Sequence, residues 1–297
     1  MLTIQVPTVN DQPADFDWLF QTAHALAGDR LEVTFDFSEC WFLRQNAVAF
    51  LGGLARQIQY RQGTVRFAWE TMKDGVRKNL GKNDFTVAFG HSHYPWTDNA
   101  IPYRENRHVD KNGIMEYLKL AWLGRGWVQV SPQLRDAIVG NVWETYENAF
   151  EHSGSPVGVF SCGQHYPNMG ILKLATADFG VGIPGSVRGY LLGQGSPEDR
   201  VLAVTAARTL EWAFKRGTTT KMGQGRGLGL DLLKRFVMVN HGRLEIFSHE
   251  GYALIDDAQE TYTNRIAFFQ GTMVNITLKC DERQYCLASE LPNEPLF

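Results

Sequence analysis

Apolar and polar residues alternate over 31–37 (LEVTFDF), the period of a half-buried strand. Over 45–62 the apolar positions Val48, Phe50, Leu51, Leu54, Ala55 and Ile58 recur at helical spacing, and Gly63 is placed to close that helix. A strand then reads over 64–69 (TVRFAW), a helix over 73–80 and a strand over 85–89. Strands alternating with helices predict an α/β module over 1–95. Residues 91–112 are rich in His, Pro, Asn and Asp and read as a linker or arm, so 96–130 is assigned as an arm and a lead-in helix.

A second module is expected over 131–282, followed by a tail at 283–297. Ser131 before Pro132 is the chemistry of a helix start, and a helix is expected to about residue 150. Its apolar residues form two adjoining stripes, Leu134, Ile138, Val142, Thr145, Ala149 and Val139, Trp143, Tyr146, Phe150. The side left over carries Glu144, Glu147, Asn148 and Glu151. Residues 171–177 (ILKLATA) read as a strand running into Asp178-Phe179-Gly180-Val181-Gly182. Ser196-Pro197-Glu198-Asp199 opens a helix expected to reach 215–216 before Gly217. The run Gly223-Gln224-Gly225-Arg226-Gly227-Leu228-Gly229 leads into an apolar helix that ends at His241-Gly242, followed by a strand (RLEIF). Residues 265–269 and 272–278, around Gln270-Gly271, read as a hairpin closing a sheet.

Composition narrows the class. The chain has 297 residues, 44% apolar and 21% charged, with a net charge of −3, the balance of a globular protein with no bias toward phosphate backbones. No run of 18 apolar residues spans a membrane, and the first residues lack the basic and apolar regions of a secretion signal. Cys40, Cys162, Cys280 and Cys286 have no metal-site spacing and read as free thiols, so the expected location is the cytoplasm. His91 and His93 lack the further ligands of a metal site and read as a solvated loop.

Three segments carry chemistry. Glu144 and Asn148 stand one helical turn apart, so a carboxylate and an amide oxygen can together handle a water and a Mg²⁺ ion. Asp178 ends a strand and is followed by Gly180 and Gly182. It can accept a hydrogen bond from the exocyclic amine of adenine while the glycines admit a planar ligand. The alternating glycines 223–229 open a helix and can present N–H groups to phosphate; they match neither G-x-x-x-x-G-K-[ST] nor G-x-G-x-x-G. Taken singly, these segments also read as a solvated helix face, a turn and a flexible loop.

Their order and spacing resemble the superfamily of ATPases with the Bergerat fold, which includes gyrases, chaperones, histidine kinases and mismatch-repair proteins. The resemblance covers roughly 130–280. It rests on E-x-x-x-N-A, D-x-G-x-G, G-x-G-x-G-L-G-L and the Gly-Thr at 271–272. It implies an α/β sandwich, a mixed sheet covered by helices, that binds ATP and ADP with Mg²⁺. Glu144 would position or deprotonate the attacking water, and Asn148 would bind Mg²⁺. Asp178 would read adenine in a pocket shaped by Gly180 and Gly182, and Thr272 would support the adenine water network. Gly225, Gly227, Leu228 and Gly229 would cradle phosphates, with Lys221 or Arg226 near the γ-phosphate, and the segment 185–224 would form a nucleotide-ordered lid. The wording Asn148-Ala149-Phe150-Glu151-His152 is most similar to the anti-sigma-factor kinases.

The first module resembles a STAS domain, the fold of anti-sigma-factor antagonists. The resemblance rests on Asp36-Phe37-Ser38, the long helix after it, Gly63 leading into a strand, and 74–89. The phosphorylatable serine of that family is missing, because 42–47 (FLRQNA) carries no hydroxyl. This half is therefore expected to dock a protein partner or self-associate without a phosphoswitch. Neither a histidine-kinase phosphoacceptor hairpin nor a transducer domain is expected, which leaves a compact two-module ATPase. An ATP hydrolase that signals through its lid, a protein Ser/Thr kinase and a nucleotide-gated binding module with negligible turnover all fit the same pocket.

Overall fold

The computed structural model describes residues 1–91, 98–215 and 229–291. The chain opens with β1 (Leu2–Gln5), α1 (Pro13–Ala25), β2 (Glu32–Asp36), α2 (Gln45–Tyr60) and β3 (Thr64–Ala68), and its three strands form a parallel sheet in the order β1-β2-β3. Parallel neighbours need a crossover, and α1 and α2 supply the two. α3 (Asp74–Lys82) and α4 (Phe85–Ala88) follow. Next come β4 (Ala100–Asn106), α5 (Lys111–Glu116), β5 (Gln129–Val130), α6 (Pro132–His152), β6 (Val159–Tyr166) and β7 (Ile171–Asp178). The remainder is α7 (Gly182–Gly193), α8 (Glu198–Leu202), α9 (Ala206–Ala213), α10 (Gly229–Val239), β8 (Arg243–Asp256), β9 (Glu260–Lys279) and β10 (Gln284–Tyr285).

The fold is mixed α/β. Its second sheet has five antiparallel strands in the order β4-β6-β7-β9-β8. Alternation along the strands divides the core in two. Cys162, Ala175, Ala177, Phe247 and Met273 share one cluster with the residues of α1 and α2. Leu172, Leu174, Leu244, Ile246, Val274 and Ile276 share the other with α6, α9 and α10. α2 therefore lies between the two sheets. It buries thirteen of its sixteen residues, so its burial is all round rather than on one stripe. Gly52 and Gly53 let it approach the five-stranded sheet closely: a methyl at either position would overlap Tyr103 or Phe179. Among the described residues no helix is long and apolar enough to cross a membrane.

Several expected elements differ. Of the expected strand 85–89, Phe85–Ala88 is the helix α4 and Phe89 its C-cap, because Asp84 takes a left-handed φ of 62° and the chain curls so that Phe85 and Phe89 both meet Phe67, with ring centroids 5.1 and 4.7 Å apart. A short apolar run does not by itself distinguish strand from helix. The expected linker contains β4, an edge strand of the large sheet; an edge tolerates Pro102, which has no N–H to donate. α2 ends through Gln62, which takes the left-handed conformation at φ 62°, and not through Gly63. Gly63 N–H closes the turn on Ile58 O at 2.9 Å, and a methyl there would lie 2.6 Å from Leu31 O.

The helix expected over 196–216 is two, α8 and α9, and the second starts at Thr205, whose hydroxyl accepts from Arg208 N–H. The expected hairpin at 270–271 is an irregularity inside the continuous β9. The real hairpin joins β8 to β9 at 257–259, where Asp256 Oδ1 accepts from the N–H groups of Ala258 and Gln259 at 3.1 and 3.0 Å. The expected tail is tied down: β10 pairs with β5, and Glu290 Oε2 accepts from Ser131 Oγ at 2.6 Å.

Candidate functional site

The site forms where the C-terminal end of β7 meets the C-terminal end of α6. Ser131 caps α6 by accepting from Leu134 N–H at 3.1 Å, and Pro132 starts its first turn. Leu134, Ile138, Val139, Val142, Trp143 and Tyr146 anchor one side in the core, and Tyr146 Oη bonds Ser161 Oγ at 2.8 Å. That anchoring leaves Glu144 half-buried and Asn148 exposed. The helix ends at Ser153, whose carbonyl accepts from Val181 N–H at 2.6 Å. The turn after Asp178 is thereby held against the end of α6.

Asp178 is 4% exposed. Gly180 N–H donates to its Oδ1 at 2.9 Å. Burial pushes the carboxyl up to about 7, against the pull of Gly180 N–H and the Ser153 and Thr272 hydroxyls. Thr272 is its cross-strand partner on β9. A methyl at Gly180 would overlap the Ser153 carbonyl, and one at Gly182, where φ is +68°, would lie 2.6 Å from Ser248 Oγ. Both glycines are thus required by close approach, and Gly182 also by its backbone conformation.

Residues outside the sequence motifs complete the turn. Ser248 Oγ donates to Gly271 O at 2.6 Å, accepts from Ile183 N–H at 2.9 Å and lies 3.2 Å from Thr272 Oγ1. His249 Nε2 bonds Val181 O at 2.8 Å, and burial lowers its pKa. Ser186 Oγ donates to His152 O at 3.1 Å, tying α7 to the end of α6. No spacing rule picks out Ser153, Ser248 or His249, because Ser153 reaches the turn from the end of α6 and Ser248 and His249 reach it from β8, all outside the motif of Asp178 in the chain. Their one sequence signal is the placement of Ser153 at a helix end, where such residues bond nearby backbone.

Asp178, Gly180, Gly182 and Thr272 are brought together at one turn. Asn148 and Glu144 precede Ser153 on α6 by five and nine residues, about 8 Å and 14 Å along the axis at 1.5 Å per residue. Gly229 is the first described residue of α10, which shares a core cluster with α6 through Leu233, Phe236 and Val237. Lys221, Gly225, Arg226, Gly227 and Leu228 lie outside the described residues, as does the 216–224 part of the expected lid. The part that is described is tied to β9 by Ala207 N–H, which donates to Asn264 Oδ1 at 2.9 Å, and is braced internally by Arg188 Nη2 on Val204 O at 2.7 Å.

Among the described residues no three His, Cys, Asp or Glu side chains form a metal-holding group. Mg²⁺ does not require one, since it takes one or two protein oxygens and completes its shell with phosphates and water. The exposed Asn148 amide oxygen fits that part. His91 stacks on Trp69 at 5.0 Å, and His93 lies outside the described residues. All four cysteines are free thiols. Compared with protein-family models and with curated proteins, the chain matches none.

Proposed function

We propose that this chain binds ATP with Mg²⁺ and hydrolyses it, with adenine at the β7–α7 turn and the phosphates along α6 toward Gly229 at the start of α10. The observation that carries this reading is Asp178. It is a buried carboxylate at a strand end, beside Thr272, in a turn whose Gly180 and Gly182 have no room for a Cβ. A carboxyl drawn out of water and raised to about 7 gains from a ligand that donates a hydrogen bond to it, and the adenine amine is such a donor. An extended nucleotide starting there runs past Asn148 to Glu144. Mg²⁺, held through Asn148 and the phosphates, would neutralise charge on the transferred group. Glu144 would orient the attacking water or take its proton. The resemblance to Bergerat-fold ATPases supports the same assignment of roles.

Titration calorimetry with Mg-ATP, together with release of labelled phosphate, tests the reading. Asp178→Asn presents an amide donor where an acceptor is needed, and should lose about 2–3 kcal/mol of binding, roughly 30- to 160-fold. Glu144→Ala should bind ATP like the parent and release phosphate about 10²–10⁴-fold more slowly. Unchanged affinity in Asp178→Asn would sink the adenine assignment. Label transferred to a copurifying protein, with none released, would replace hydrolysis by kinase activity.

A further inference from the structure

We infer that α2 positions Asp178 through contact between Gly53 and the ring of Phe179, so that the amino-terminal layer sets the geometry of the adenine-reading turn; the nucleotide part of this inference rests on the function proposed above. Phe179 follows Asp178 directly. The carboxylate of Asp178 meets Gly180, Ser153 and Thr272, while the ring of Phe179 joins the cluster formed with α1 and α2. Its centroid is 5.3 Å from Phe50, 6.2 Å from Phe160 and 5.4 Å from Phe269. A methyl at Gly53 would overlap the Phe179 ring and stand 2.7 Å from Phe160 Cδ2. Three aromatic neighbours block the ring, and a cleft of about 90 Å³ lined also by Phe20, Leu54, Gln57 and Phe268 is its outlet. A ring pushed that way pulls on its own backbone. That backbone is held by Gly180 N–H on Asp178, Val181 N–H on Ser153 O and Ile183 N–H on Ser248 Oγ, at 2.9, 2.6 and 2.9 Å.

Gly53→Ala raises helix propensity, so any loss it causes comes from the contact and not from the helix. The test compares the parent, Gly53→Ala, Phe179→Leu and the double variant as full chains. Amide hydrogen exchange is read without nucleotide, and affinity for Mg-ATP is read by calorimetry. In Gly53→Ala the amides of Gly180, Val181 and Ile183 should exchange about tenfold faster while those of α10, which packs in the other core cluster, keep the parent rate. ATP binding should weaken by about tenfold, and the smaller leucine of the double variant should restore both readings. Unchanged exchange at those three amides, or an equal rise throughout α10, overturns the coupling. So does a double variant that restores nothing. If the parent fails to bind Mg-ATP, the nucleotide reading fails, and the exchange measurement still decides the coupling.

Discussion

At the scale of single residues, Asp178 makes a prediction with two opposite signs. Its carboxyl is held at about 7 in the folded protein, against 3.8 for an aspartate free in water. Between those values the folded state binds a proton that the unfolded chain has released. Its contribution to stability is therefore full below 3.8 and is lost as pH rises to about 7. Nucleotide binding should run the other way, because the carboxylate accepts the adenine amine more strongly than the neutral acid does. Between pH 7 and 5 the ligand-free protein should gain stability from this group, by at most about 1.4 kcal/mol per pH unit. ATP affinity should fall over the same range. Denaturant titrations and calorimetry at several pH values check both trends, with Asp178→Asn subtracted to remove Glu245 and His249. A difference curve flat from pH 5 to 7 would refute the assignment. Asp178, Gly180 and Gly182 are legible in the sequence because a strand, a carboxylate and two glycines are contiguous in the chain. Ser153, Ser248 and His249 are not, because only folding brings them to the turn.

At the scale of elements, β9 shows how a turn signal can be overridden. Gln270-Gly271 has hairpin chemistry, yet the chain continues straight through it, since both flanks pair with β8 in one long antiparallel ladder. Gly271 is still required there: its φ is +141°, and a methyl would overlap Asp178 O and lie 2.8 Å from the ring of Phe269. Gly271→Ala should destabilise the fold by about 2–3 kcal/mol from backbone strain. Because the clash falls on Asp178, it should also weaken ATP binding. The shift in urea midpoint measures the first and calorimetry the second. A stability loss with full affinity would separate the bulge from the site. Elements with strong local signals, such as α6 with its Ser131-Pro132 start, are legible without the fold. β4 and α4 are not, since pairing with β6 in one case and aromatic contacts with Phe67 in the other decide their state.

At the scale of the molecule, the amino-terminal layer and the large sheet share a core. Phe20 lies 5.5 Å from Phe247, 5.1 Å from Phe269 and 5.8 Å from Phe50, and Phe16 stacks on Phe247 at 4.4 Å. Lys173 of β7 also pairs with Asp11, which in turn accepts from Asn46 at 2.6 Å. With so many aromatic rings common to both, neither layer keeps its apolar surface out of water when the other unfolds. Phe20→Ala should cost about 3–5 kcal/mol and lower the midpoint of one common transition. Fluorescence and far-UV circular dichroism should follow the same curve. Two separate transitions, with only the first shifted, would show that the layers fold independently.

What depends on neighbours along the chain can be read before folding: the start of α6, the strand into Asp178, the glycines of the turn after it, and the α/β class. These follow from hydrophobic period and backbone conformational preference, which act over a few residues. Packing between distant segments makes α2 buried all round between two sheets, makes residues 100–106 a strand, and sets Phe179 on Gly53. Those outcomes turn on burial and close packing between segments far apart in the sequence. A residue's identity states what it can bury; which surface it is buried against is settled only when all the surfaces are present.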